Sequence, residues 1–139
     1  MDNLLVTVTR TDLKLHFEGV SKDNEDFSVP FDFAPPIGEG NGFAGLELLL
    51  MALAGCISTT LVFLLGRAGK HIKAFSATAE GIRSERPMTL KEVHMGVQIK
   101  SNNISASDME TVIRQAEAMA PVWQAVKNNV LVKIDFELS

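Results

Sequence analysis

The chain's only sulfhydryl, Cys56, lies within its most apolar stretch, AGLELLLMALAGCISTTLVFLL, from Ala44 to Leu65. Nucleophilic sulfur chemistry needs the thiolate, which is the minor species of an ordinary cysteine at neutral pH. Burial favours the neutral thiol, so a reactive cysteine here needs a cation or hydrogen-bond donors to oppose its surroundings. Thr59 and Thr60, three and four residues on, share its helical face and are candidates to donate a hydroxyl. The helix macrodipole does not help, because Cys56 lies more than ten residues past Ala44 and that field acts mainly in the first turn. The alternative is an inert core thiol, since free cysteine is among the most buried residue types. His16, His71 and His94 are scattered and show no metal-ligand spacing, so no metal is expected. No phosphate-binding loop, dinucleotide fingerprint or nucleophile-elbow pattern occurs, and no cofactor is implied.

The segment around Cys56 is rich in Leu, Ala and Met, which lose little side-chain freedom in a helix. Apart from Cys56, Glu47 is its only ionisable residue, and Gly66-Arg67-Ala68-Gly69 fits a helix stop. About 20 apolar residues suffice to cross a bilayer. Gly45, Gly55 and Ser58-Thr59-Thr60 dilute this stretch, however, and strand-like segments flank it, so no membrane partner is expected. A helix apolar on every side must instead be enclosed by protein. One small sheet covers one face, so the remaining faces point to a second copy and hence to a homodimer.

Around this helix the pattern is that of strands. Leu4, Val6 and Val8 alternate with polar or opposite-facing residues, as do Leu13, Leu15 and Phe17, which predicts two strands joined near Arg10-Thr11-Asp12. Gly19 to Asp26 reads as a polar turn region, and Phe27, Val29, Phe31 and Phe33 as a third strand placed at an edge by Pro30. A Gly- and Pro-rich loop, Ala34 to Gly42, leads into the long helix. Ile72 to Ile82 and Leu90 to Lys100 predict a hairpin with Val93, Met95, Val97 and Ile99 on one face and Arg83, Glu85, Arg86 and Pro87 at the tip. Ser107 and Glu110 suggest a capping box for a second helix, which Pro121 ends. A short helical turn and a last strand from Val130 to Leu138 follow. The order βββ-α-ββ-α-β over residues 1–139 predicts a single α+β domain, with antiparallel sheets around a long central helix.

At 139 residues with a formal charge of −4, the chain has no basic cluster to attract nucleic acid. One cysteine suits a reducing compartment. MDNLLVTVTR lacks the basic start of a secretory signal, so the cytoplasm is the expected location.

The element order, with GLELLLMALAGC opening the long helix, resembles the OsmC/Ohr family of osmotically inducible and organic hydroperoxide resistance proteins. The likeness is to the OsmC-like subgroup, whose helix carries a P-x-E-x-x-x-x-A-x-x-G-C type pattern; Glu47, Ala52, Gly55 and Cys56 match it. The resemblance implies an OsmC-like fold, an intertwined homodimer, and reduction of organic hydroperoxides by a thiol peroxidase. In it Cys56 would attack the peroxide, assisted by Glu47 and by an arginine, for which Arg10 is broadly in place. Trp123 would line an apolar pocket. The family's second cysteine, which closes a disulfide, falls on Ala120 here, so the sulfenic acid formed on Cys56 requires an external thiol reductant. Glu47 stands nine residues before Cys56, on the far side of a regular helix and roughly 13 Å along its axis. Two other readings share the fold: a non-enzymatic binder of a fatty acid, lipid or other apolar small molecule, and a redox sensor switched by Cys56.

Overall fold

A computed structural model describes residues 1–139. The chain forms β1 (Val6–Arg10), β2 (Phe17–Ser21), β3 (Asn24–Phe31), α1 (Gly45–Arg67), β4 (Ala74–Glu85), β5 (Met88–Lys100), α2 (Ala106–Met119), α3 (Pro121–Val126) and β6 (Leu131–Leu138). It divides into two compact units, Met1–Leu48 and Leu49–Ser139.

The first unit is an antiparallel sheet in the order β1-β2-β3. Pro30 sits on β3, an edge strand, where its missing N–H breaks no ladder. The second strand begins at Phe17 rather than Leu13, and the expected turn over Gly19–Asp26 shrinks to Lys22-Asp23. Local hydrogen bonds decide this. The Asp12 carboxylate accepts the N–H groups of Lys14 (2.8 Å) and His16 (3.2 Å), an Asx-type turn that competes with strand pairing. The Arg10 guanidinium donates to the carbonyls of Lys14 and Leu13.

Past β3, the loop to α1 is folded about one carboxylate. Buried Asp32 accepts N–H groups from Phe33 (2.7 Å), Asn41 (3.1 Å) and Glu39 (3.3 Å). Burial works against its charge, but these backbone donors, Asn41 foremost, outweigh it and hold the carboxyl below its ordinary value. Gly38 is required here, because a Cβ would lie 2.2 Å from the Phe33 carbonyl oxygen and 2.3 Å from Asp32 Oδ1. Yet this unit has no apolar core. Asp32 and Gly38 are its only buried residues, while Val6, Val8, Phe27, Phe33 and other large apolar side chains stay exposed.

The second unit has a proper core. β4 and β5 form the expected long hairpin, and Val93, Met95, Val97 and Ile99 are buried on one face of β5. They share the interior with Leu53, Ile57, Leu61 and Leu65 of α1, Met109, Val112 and Ala116 of α2, and Trp123 of α3. Each such side chain contributes about 1.5–3 kcal/mol by leaving water. The sheet order is β4-β5-β6, and β6 runs parallel to β5, which corrects the antiparallel expectation. The intervening α2 and α3 carry the chain back before it re-enters the sheet, as a crossover does. α2 starts two residues earlier than expected. Ser105 and Asp108, not Ser107 and Glu110, form the capping box, and Asp108 also pairs with Lys70 at 3.1 Å.

Helix α1 ends where expected: Gly69 takes a left-handed φ of 75°, and Lys70 N–H donates to the Leu65 carbonyl. It is long and apolar enough to cross a membrane, but within its second-unit portion Leu53, Ile57, Leu61, Leu64 and Leu65 face protein.

Candidate functional site

At about 100° per residue, the second-unit part of α1 has three distinct sides. The side through Leu53, Ile57, Leu61 and Leu64 is buried. The opposite side, through Met51, Gly55, Val62 and Gly66, is open: Met51 keeps 47% and Val62 41% of its surface. Cys56 lies on the border and is half-buried. Leu49 and Phe63, seven residues before and after it, stand on the same border line.

The two threonines behave differently from expectation. Thr59 and Thr60 both donate their hydroxyls to the Cys56 carbonyl oxygen, at 3.0 and 2.8 Å. A hydroxyl has one proton to give, so neither donates to the sulfur. Such back-bonding satisfies a polar side chain within an apolar helix, and the sequence spacing alone does not distinguish the carbonyl from the sulfur as acceptor. No side chain or backbone group of the same chain donates to Cys56 Sγ.

The other candidates are held by local structure. The Glu47 carboxylate accepts the Ala44 N–H at 3.0 Å and so caps the first turn of its own helix, where a negative charge is also favoured by the macrodipole. Arg10 spends its guanidinium on the β1–β2 loop. Ala120 is fully buried at the junction of α2 and α3, and Trp123, at 5% exposure, belongs to the core of the second unit.

One feature that sequence reasoning missed is a groove of about 430 Å³ lined by Leu49, Pro87, Leu90, Val126 and Val130. It opens beside Leu49, on the Cys56 side of α1. It joins a hairpin tip to a short helix 35 or more residues away, which periodicity does not relate.

An α+β chain that carries one thiol on the border of a long apolar helix, between two three-stranded sheets in sequence, defines a narrow class. The sequence matches the family described as OsmC-like protein over residues 38–135, and the chain belongs to that family. No curated protein matches it. Among solved structures it is similar to a hypothetical protein from Aquifex aeolicus VF5 (TM-score 0.83, 18% identity, 100% of this chain and 98% of that one). It is also similar to an OsmC-like protein from Mycoplasma pneumoniae (0.83, 19%, 99% and 97%). A third is an organic hydroperoxide resistance protein from Elizabethkingia anophelis (0.77, 14%, 100% and 98%). At these identities the likeness is one of fold.

Proposed function

We propose that this protein is a homodimeric one-cysteine thiol peroxidase that reduces organic hydroperoxides in a reducing compartment such as the cytoplasm. The observation that carries the reading is the position of Cys56: half-buried, on the border of α1, and next to a face its own chain leaves open. Membership of the OsmC-like family and the fold shared with an organic hydroperoxide resistance protein support it.

The Cys56 thiolate attacks one peroxide oxygen of ROOH. The O–O bond breaks, the sulfur is oxidised to sulfenate, and the leaving alkoxide takes up a proton as ROH. A first external thiol then condenses with the sulfenic acid, releasing water and leaving a mixed disulfide. A second thiol attacks that disulfide, returns Cys56 to the thiol and leaves as the oxidised reductant. With Ala120 where a second cysteine would stand, both reducing equivalents come from outside the chain.

A second copy is the proposed cover for the uncovered surfaces. The first unit buries no apolar side chain, and a segment of 48 residues without a core has no means of its own to offset its ordering entropy. On α1, Gly55 and Gly66 cost helix stability, yet a Cβ at either would meet nothing within 4 Å in the chain itself. Glycine there is accounted for if another helix approaches closely. The same partner is the source of any cation held against Cys56, since the chain supplies none.

That missing donor is also the observation favouring the non-enzymatic reading, in which Cys56 only lines a site for an apolar ligand. Stopped-flow mixing with an alkyl hydroperoxide, with sulfenic acid trapped at Cys56 and identified by mass spectrometry, separates the two. Turnover with a dithiol that Cys56→Ser abolishes establishes the peroxidase. Oxidation no faster than that of free cysteine removes it, and stoichiometric oxidation without turnover indicates a sensor.

A further inference from the structure

Three turns beyond Cys56, at the end of the same border line, stands Arg67, the only cation on α1. Eleven residues at 1.5 Å place it about 16 Å along the axis and nearly in register with Cys56 around the helix. Its guanidinium makes no ion pair, although acidic side chains outnumber basic ones by 17 to 13 in the chain. Instead it lies over the Phe63 ring, 5.8 Å from the centroid. Beside it is a depression of about 290 Å³ with apolar walls from Leu64, Ala68 and Met119 and one amide, that of Gln115. Phe63 keeps 56% of its surface and lies between Arg67 and Cys56 along the line.

We propose that Arg67 is a specificity-determining residue which, with Gln115, receives the carboxylate of an amphipathic substrate whose apolar chain runs past Phe63 toward Cys56. The proposal rests on the peroxidase reading of Cys56 and names the substrate class as a long-chain carboxylic acid bearing the hydroperoxide on its chain.

Charge complementarity selects this occupant. A planar guanidinium offers two parallel N–H groups to a carboxylate, and stacking on an aromatic ring holds that fork in place. The carbonyl end of a helix opposes an anion, but here the carbonyls of Leu64, Leu65 and Gly66 are already taken by the N–H groups of Ala68, Lys70 and Gly69. The guanidinium is therefore the nearest uncompensated charge. Attraction of a cation to the helix end explains a basic residue in the last turn. It does not explain why that residue borders an apolar depression with an amide in its wall. The span to Cys56 suits an acyl chain and exceeds any compact hydroperoxide.

The test compares three substrates on the full-length protein: a fatty-acid hydroperoxide, its methyl ester and cumene hydroperoxide. Wild type is expected to show a lower KM for the acid than for the ester. Arg67→Gln is expected to raise the KM for the acid by about 10-fold, the loss of one charge-assisted contact, with kcat and both uncharged substrates unchanged. Arg67→Lys should recover part of the difference. Equal KM values for acid and ester in wild type would overturn the proposal. So would an Arg67→Gln defect shared by all three substrates, or one confined to the oligomeric state, which would make the depression a contact between copies. Calorimetric titration with lauric acid and methyl lauroate provides a readout without peroxide chemistry. Preference for the acid that Arg67→Gln removes would uphold Arg67 even if no hydroperoxide is reduced, whereas identical binding by both proteins would reject it.

Discussion

Replacing Gly55 with alanine tests the open face of α1 with a single methyl group. In the isolated chain the added Cβ has nothing within 4 Å, and alanine is favoured over glycine in a helix interior by about 0.5–1 kcal/mol. A lone chain is therefore stabilised by that amount. If a second α1 packs against Met51, Gly55 and Val62, the methyl group meets the partner, and overpacking costs about 1–3 kcal/mol. At 1.4 kcal/mol per tenfold, that cost weakens association by roughly 5- to 150-fold. Sedimentation over a range of protein concentrations, together with thermal unfolding at the same concentrations, reads both effects. The expected result is a lower melting temperature at low concentration, where the weakened dimer dissociates. A protein that melts higher at every concentration, with unchanged association, would show that this face lies outside the interface and would remove the structural reason for glycine given above.

Three further outcomes follow from the same coordinates. Trp123→Ala, which empties a site at 5% exposure, should cost about 3–5 kcal/mol in chemical denaturation; a loss under 1 kcal/mol would mean that the ring is not part of the core. Ser105→Ala removes one half of the capping box and should cost about 1 kcal/mol. The Asp108 carboxyl is held below its ordinary value by the Ser105 N–H first and then by Lys70. Its contribution is therefore present above the unfolded-state value and lost as pH falls through the lower folded one. Asp32, depressed in the same direction, adds to this acid sensitivity, and Asp32→Asn and Asp108→Asn should each flatten the acid limb of the stability curve. A double Thr59→Val, Thr60→Val variant should leave the alkylation rate of Cys56 unchanged, because both hydroxyls serve the carbonyl oxygen. A slowed rate would show that they reach the sulfur.

Periodicity was sufficient wherever a strand or helix has one buried face. Val93, Met95, Val97 and Ile99 alternate with polar residues, and the structure buries that face of β5. It failed where a polar side chain bonds to nearby backbone. Asp12 turned a Leu13-Leu15-Phe17 alternation into a loop, and Ser105 captured the helix start from Ser107, since both residues offer the same chemistry two positions apart.

The amino-acid sequence alone determined the element order, the buried stripe of β5, the stop of α1 at Gly69 and the presence of a single thiol in an apolar helix, because these depend on neighbours within a few residues. Tertiary structure decided the rest. That β6 runs parallel to β5 depends on where α2 and α3 return the chain, that Arg67 borders a depression shared with Gln115 depends on how two helices meet, and that Cys56 stands on a border depends on which side of α1 the core claims. A helix apolar all round carries no periodic mark of its own inner face. Only packing against β5 and α2 could choose one.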